Sequence, residues 1–244
     1  MNDKYRSDAF QRYVSTHLAH RKAPATVQQF RDKSVTWDHH FASFLPDDRA
    51  TPILDAGCGR GSLVWWLQSL GFINAEGVDV SPEVIDVARS LGVQNVECGD
   101  LKEYLDRRPA HYGLVTMRDV LEHFDRPSIA SILTSVHAAL RPGGLLVLQV
   151  PNAESPFAGR TRYGDITHEL SFTTTSLSQI LLLGGFEPLE FRAVAPFYRG
   201  VGSLRRVVAW RVVESVYRFF LAAELGKAPR IVTQNLIAAA TKPR

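Results

Sequence analysis

Three carboxylates and three alternating glycines are the groups in this chain best able to do chemistry together. Asp55 follows the apolar pair Ile53-Leu54, and Gly57, Gly59 and Gly61 come at every second position before a helical pattern begins. A strand, a tight turn and a helix start in that order let backbone come close to a ligand. Asp79 lies at the end of a second run, Ala75 to Val80, 22 positions after Gly57. That is about where an acid meets a ribose diol in nucleotide-binding folds. Asp100 follows a third run that includes Val96 and Cys98, in a place to accept a hydrogen bond from an adenine amino group. Three acids after three successive strands share the edge on which open α/β sheets bind ligands. Helix capping accounts for one or two such acids, but not for the glycine spacing as well.

The sign of the charge narrows the ligand. A glycine turn that holds a pyrophosphate offers backbone N–H groups, and a carboxylate there would repel it. Asp55 suits a ligand with a positive end. S-adenosylmethionine (SAM) has an ammonium, a sulfonium and no phosphate, and is the expected cofactor. Its expected contacts are Asp55, Gly57, Cys58, Gly59, Gly61, Asp79, Val80, Asp100 and Leu101.

Methyl transfer is an in-line displacement in which the protein mainly holds the acceptor in line with the methyl group. A hydroxyl acceptor also needs a base, expected near the ends of strands four and five. Two segments qualify: Met117 to His123, and Asp165 to Thr173. His168 is the expected base, with His123 and Asp165 beside it, because neutral histidine accepts a proton near pH 7. The plainer account is that both histidines brace their loops. Asp119, Glu122 and His123 stand at i, i+3 and i+4, a spacing that shares one helical face and suits a divalent ion. Pairing of an acid with Arg118 or Arg126 explains them more simply, and no metal is expected.

The elements that must position these groups alternate regularly. Strands are expected at 52–56, 75–80, 94–98, 112–117, 145–150, 186–194 and 231–240. Helices are expected at 61–70, 82–90, 101–107, 127–140 and 175–184, the last stopped by Gly184-Gly185. Such alternation means parallel pairing in a doubly wound α/β sheet. Helices at 4–20 and 26–45, joined around Pro24, form an N-terminal cap over 1–47, with Tyr13, His17 and His20 able to face the cleft. The core takes 48–244, with a helical insertion at about 200–228.

Asp55-Ala-Gly-Cys-Gly-Arg-Gly61, Val78-Asp79-Val80-Ser81, Gly99-Asp100, Val120-Leu121-Glu122-His123 and Leu140-Arg141-Pro142-Gly143-Gly144 resemble the class I SAM-dependent methyltransferases over roughly 48–190. The resemblance implies a seven-stranded, mostly parallel sheet whose last strand is antiparallel. It assigns the Asp55 turn to the methionine part of SAM, Asp79 to the ribose and Asp100 to the adenine. Tyr13 to His17, Gly164 to His168 and Ser171 to Leu177 are similar to methyltransferases of surface-polysaccharide and sugar pathways. That likeness implies a sugar hydroxyl of a glycan, nucleotide sugar or lipid-linked saccharide as acceptor. The Asp119, Glu122, His123 spacing, and Thr167-His168 followed by Phe172, also resemble the ubiquinone-pathway O-methyltransferases, so a phenolic or quinone-type acceptor is the alternative. A SAM-binding protein without transfer activity, and then a nicotinamide-dependent oxidoreductase, stand behind these. The family's nucleic-acid amino-methyltransferases carry an Asn/Asp-Pro-Pro-aromatic motif after strand four, whereas Thr116-Met117-Arg118-Asp119 stands here, and no nucleic-acid partner is expected.

Composition fits this reading. The 244 residues are 45% hydrophobic, enough for one full core. The longest apolar runs are too short to span a membrane, and the first residues lack an apolar signal segment. Two cysteines without metal spacing make no disulfide framework, so a cytoplasmic location is expected. The net charge of +3 is uneven: residues 192–244 hold ten basic and two acidic side chains, a net of +8 against −5 for the rest. Such a basic end suits an acidic partner or the acidic body of the protein itself. Within it, Leu204 to Leu225 reads as one helix with a narrow polar stripe of Arg211, Glu214, Ser215 and Arg218. The wide apolar remainder of this 203–225 helix is expected to be buried against the fold or a second subunit, and otherwise to meet the inner face of a membrane.

Overall fold

A computed structural model describes residues 8–16 and 25–244 of the chain. His17, His20 and the join at Pro24 lie outside the described residues. The strands are β1 (Ile53–Ala56), β2 (Ala75–Asp79), β3 (Val96–Cys98), β4 (Tyr112–Arg118), β5 (Leu140–Pro151), β6 (Leu189–Ala193) and β7 (Asn235–Thr241). The helices are α1 (Tyr13–Thr16), α2 (Val27–His40), α3 (Ser62–Ser69), α4 (Pro82–Ser90) and α5 (Leu101–Asp106). They continue with α6 (Arg126–Ala139), α7 (Ala158–Arg162), α8 (Thr174–Leu183) and α9 (Val201–Leu225). Short 3-10 turns stand at Ala42–Phe44 and Leu121–His123.

One seven-stranded sheet runs in the order β3-β2-β1-β4-β5-β7-β6. The first five strands are parallel, and β7 is antiparallel to both β5 and β6. The chain therefore has the expected doubly wound α/β architecture. Strand β1 is buried at all four positions, because helices cover both faces of a parallel sheet. On one face α6 and α8 bring Ile132, Leu133, Leu177 and Leu181 onto Leu54, Val115 and Leu148. On the other, α2 and α3 bring Trp37, Trp66 and Leu67 onto Ile53, Leu114 and Val147. Every strand's C-terminal end in the parallel half thus opens on one edge, where the candidate residues gather.

Three boundaries depart from expectation for physical reasons. The strand β5 begins five residues early, because Leu140 pairs with Tyr112 across a register shift in β4. The strand β7 begins late: Ile231 and Thr233 give their carbonyls to Asn152 Nδ2 at 3.0 and 2.9 Å instead of to a ladder. Helix α9 begins at Val201 and has no buried residue: Val207, Trp210, Tyr217 and Leu221 are only half-buried and the rest of its apolar surface is exposed, short of the expected burial against the fold.

Candidate functional site

The glycine turn is pinned to β2. The N–H groups of Gly57 and Cys58 donate to Val78 O at 2.8 and 3.0 Å. Gly57 has φ +75°, and a Cβ there would collide with the Val120 side chain. Gly59, at φ +53°, has no atom within 4 Å of where a Cβ would stand, so its bare backbone borders open space. Gly59 N donates to Asp79 Oδ2 at 2.8 Å, and Ser81 N donates to Asp79 Oδ1 at 2.9 Å. Burial raises the Asp79 pKa against the pull of these N–H groups. Asp100 caps α5, accepting from Glu103 N at 3.0 Å, while its residue still borders the same space.

That space is a cavity of about 700 Å³. Gly57, Cys58 and Gly59 line one part of it, with Asp79, Val80, Asp100 and Leu101 beyond. Arg118, Val120, His123 and Phe124 line the part beside β4, and Phe10, Tyr13 and Lys33 come from the N-terminal elements. Two expected cofactor contacts do not reach the wall. Asp55 lies beneath the turn, 1% exposed, held by a 2.8 Å hydrogen bond from Thr116 Oγ1. Burial lifts its pKa to about 6, although Arg118 and Thr116 pull it down. Gly61 serves instead as the left-handed N-cap of α3.

The expected catalytic group is rearranged in a similar way. His123, at the end of the 3-10 turn after β4, is on the cavity wall. His168 and Asp165 stand behind it and are not part of that wall. Thr167 Oγ1 donates to Asp165 Oδ1 at 2.7 Å and lies 2.9 Å from His123 Nδ1. A hydroxyl has one hydrogen, so Thr167 accepts from His123 Nδ1–H, and Nε2 is the nitrogen able to take a proton. Asp165 also accepts from Thr167 N at 2.9 Å and from the Tyr13 hydroxyl at 2.8 Å. Burial, then the charge of Asp165, raises the Tyr13 pKa and keeps that phenol a donor.

His168 packs edge-on against His123, ring centroids 4.7 Å apart. Its Nδ1 donates to Thr161 O at 2.9 Å, and its Nε2 lies 4.0 Å from Glu122 Oε1. Glu122 is fully buried and neither carboxyl oxygen has a hydrogen-bond partner. Its pKa is pushed well up, first by burial and then by Asp119. Glu122, His123 and His168 each offer a ligand atom within 4.8 Å of the others. The trio expected from spacing was different. Asp119, at φ +56°, is instead held by Gln149 Nε2 and Asn235 Nδ2, each at 3.0 Å.

Two functional residues escape sequence reasoning. Thr167 links two candidates, but its partner His123 is 44 positions away, so no local pattern marks it. Arg118 appears in the sequence only as a partner for nearby acids. In the structure its guanidinium stacks on Trp37, Cζ 4.2 Å from the ring centroid, and its buried Nε has no hydrogen-bond partner. A half-buried cation on a cavity wall is a ready anchor for a ligand carboxylate.

Residues 25–190 match the family described as Methyltransferase domain. A ubiquinone biosynthesis O-methyltransferase of Paraburkholderia phytofirmans is 28% identical over 153 residues, 53% of this chain and 63% of the relative. One of Shewanella pealeana is 26% identical over 151 residues, with the same coverage. The chain thus spans just under two thirds of the length of these relatives. A SAM-dependent methyltransferase of Archaeoglobus fulgidus superposes with a TM-score of 0.65 at 22% identity, covering 88% of this chain and 97% of that one. Phosphoethanolamine N-methyltransferase 2 of Haemonchus contortus, solved with SAM, gives 0.60 at 18% identity, covering 87% and 53%.

Proposed function

The chain belongs to the methyltransferase domain family, and on that premise we propose that it is a SAM-dependent methyltransferase that methylates the hydroxyl of a phenolic or quinone-type acceptor, with His123 as base. The observation that carries this is the chain His123 Nδ1–H to Thr167 Oγ1 to Asp165, with His123 on the cavity wall. The acceptor class is supported by the ubiquinone-pathway relatives and by the aromatic surroundings of His123. Phe10 stands edge-on to its ring at 5.6 Å, and Phe124 lines the same cavity. These features favour the phenolic alternative over the sugar hydroxyl expected from short segments of sequence.

The residues present fit the cofactor. Gly59 leaves room for a ligand against bare backbone, Asp79 is positioned for the ribose hydroxyls, and Asp100 with Leu101 for the adenine. Arg118 anchors the carboxylate of the methionine part. SAM supplies an electrophilic methyl group on a sulfonium. His123 Nε2 receives the proton that the acceptor hydroxyl gives up. Thr167 fixes the ring and its tautomer, and Asp165 stabilises the imidazolium through it. Transfer of label from methyl-labelled SAM to a panel of catechols and sugars tests the reading. Label on catechols that falls sharply in His123→Ala supports it, and label on sugars alone overturns it.

A second reading is favoured by one observation, the orphaned carboxyl of Glu122. His123 and His168 both have Nδ1 engaged by an oxygen, the arrangement in which Nε2 ligates a metal. A divalent ion held by Glu122, His123 and His168 would bind and polarise the acceptor hydroxyl. Activity that disappears with a chelator and returns with a divalent ion selects this reading; activity that persists in EDTA removes it.

A further inference from the structure

We propose that the outward face of α9 docks on an anionic lipid surface, lying in the plane of the interface. Helix α9 is 25 residues long and leans on the fold through a half-buried stripe. Ser203, Val207, Trp210, Glu214, Tyr217 and Leu221 make up that stripe, at alternating spacings of four and three. The opposite side is apolar. At 100° per residue, Val201, Val208, Val212 and Phe219 fall within about 20° of one line. Val208, Val212 and Phe219 are 54%, 59% and 70% exposed, and Val201 more so. The helix is apolar on both sides: Val207, Trp210, Tyr217 and Leu221 lean on the fold together with Glu214 and Arg218, and a second hydrophobic stripe faces out. A continuous apolar strip of this length marks an interaction surface.

Charge selects the occupant. By the same helical geometry, Arg205 lies on the apolar side and Arg211 on its flank, while Arg206 lies nearer the fold-facing stripe. Of the helix's two acids, Glu214 faces the fold, where it meets Arg211 at 3.4 Å, and Glu224 shares the direction of Arg206 and offsets it, so Arg205 and the exposed Arg211 leave the outward side net positive. A second copy docked by two-fold symmetry would set the same arginine-bearing face against itself. Anionic headgroups instead neutralise those arginines while valine and phenylalanine enter the acyl boundary. Among the described residues no helix is long and apolar enough to cross a membrane, which fits a helix lying on the surface. The Trp210 ring meets Phe157 at 6.5 Å, just before the segment that carries Asp165 and Thr167. Docking through α9 therefore brings the loop after β5, which carries Asp165 and Thr167, toward the lipid. This inference stands whichever acceptor the enzyme uses.

The test is co-sedimentation of the full chain with phosphatidylglycerol–phosphatidylcholine vesicles and with phosphatidylcholine vesicles. Binding to the anionic vesicles at low salt, weakened by 0.5 M salt, is expected. Arg205→Gln with Arg211→Gln should weaken it by about 25-fold, since each basic residue near such a surface is worth about a factor of five. Val212→Asp with Phe219→Asp should abolish it, with SAM affinity kept in both variants because the changes lie on an exposed face. Absence of binding at low salt, or binding unchanged in Val212→Asp/Phe219→Asp, overturns the proposal. So does a dimer in solution that this double variant dissolves, which would make the face a subunit interface.

Discussion

At one end of the cavity the ligand-facing groups come from three turns, each directly after its strand: Gly57 to Gly59, Asp79 with Val80, and Asp100 with Leu101. At the other end, His123, the Asp165–Thr167 loop and Tyr13 meet from three stretches of chain, with Tyr13 and Asp165 152 positions apart. The cofactor end is mostly backbone, shaped by glycine torsions and N–H groups that local sequence dictates. The acceptor end is side chains on side chains, and depends on where the loop after β5 and the N-terminal helix come to rest. One fold can therefore keep its cofactor end while loops change the acceptor, as fold and function are separable in general.

The sharpest way to break the comparison is at His123. His123→Ala should lower turnover by about 10²- to 10⁴-fold with SAM affinity unchanged in calorimetry. A joint fall of both would mean that the two ends are not separate. The mirror experiment is Arg118→Met. Loss of one charge-assisted contact costs roughly 1.5–3 kcal/mol, so SAM should bind roughly 10- to 100-fold more weakly. Methylthioadenosine, which lacks the amino-acid part, should bind as before, and equal losses for both would remove Arg118 as the carboxylate anchor.

Smaller effects sharpen the picture. Thr167→Val removes a hydrogen bond worth about 0.5–1.5 kcal/mol. It should lower kcat by about 2- to 10-fold and leave SAM binding intact, as steady-state kinetics beside calorimetry would reveal. The least effect is on stability. The Asp55 carboxyl has a pKa near 6 in the fold against an ordinary 3.8. Between about pH 4 and 6 the unfolded chain releases a proton that the fold retains, so Asp55 lowers stability as pH rises. Glu122 acts in the same direction. Asp55→Asn should therefore raise the melting temperature at pH 7 and change it little at pH 4, while Asn Oδ1 still accepts from Thr116. A larger gain at pH 4 than at pH 7 would reverse the assigned sign.

What could be read from sequence follows the same divide. The alternation of strands and helices, the glycine turn and the acids after β2 and β3 are local patterns, and the structure assembles them on one edge. Asp55 is legible as part of the turn, but not as a group beneath it, because burial is a property of the packed sheet. Capping and cavity lining coincide at Asp100, so neither reading excluded the other. The sequence favours His168 over His123 because nothing local shows which ring comes forward; the hydrogen bond to Thr161 O holds His168 back. Helices α6 and α9 show the limit plainly. Both carry apolar residues at helical spacing, yet α6 buries Ile129, Ile132, Leu133 and Val136, while α9 buries none. Periodicity gives a helix its stripe, and only the tertiary structure says whether anything lies against it.

The central claim is that His123, oriented through Thr167 and Asp165, takes the proton of an acceptor hydroxyl. Single-turnover transfer from labelled SAM to a catechol, in wild type, His123→Ala and His168→Ala, tests it most directly. The account predicts label on the catechol oxygen in wild type, a loss of about 10²-fold or more in His123→Ala and a clearly smaller loss in His168→Ala. Equal transfer in wild type and His123→Ala, or a greater loss in His168→Ala, would contradict it.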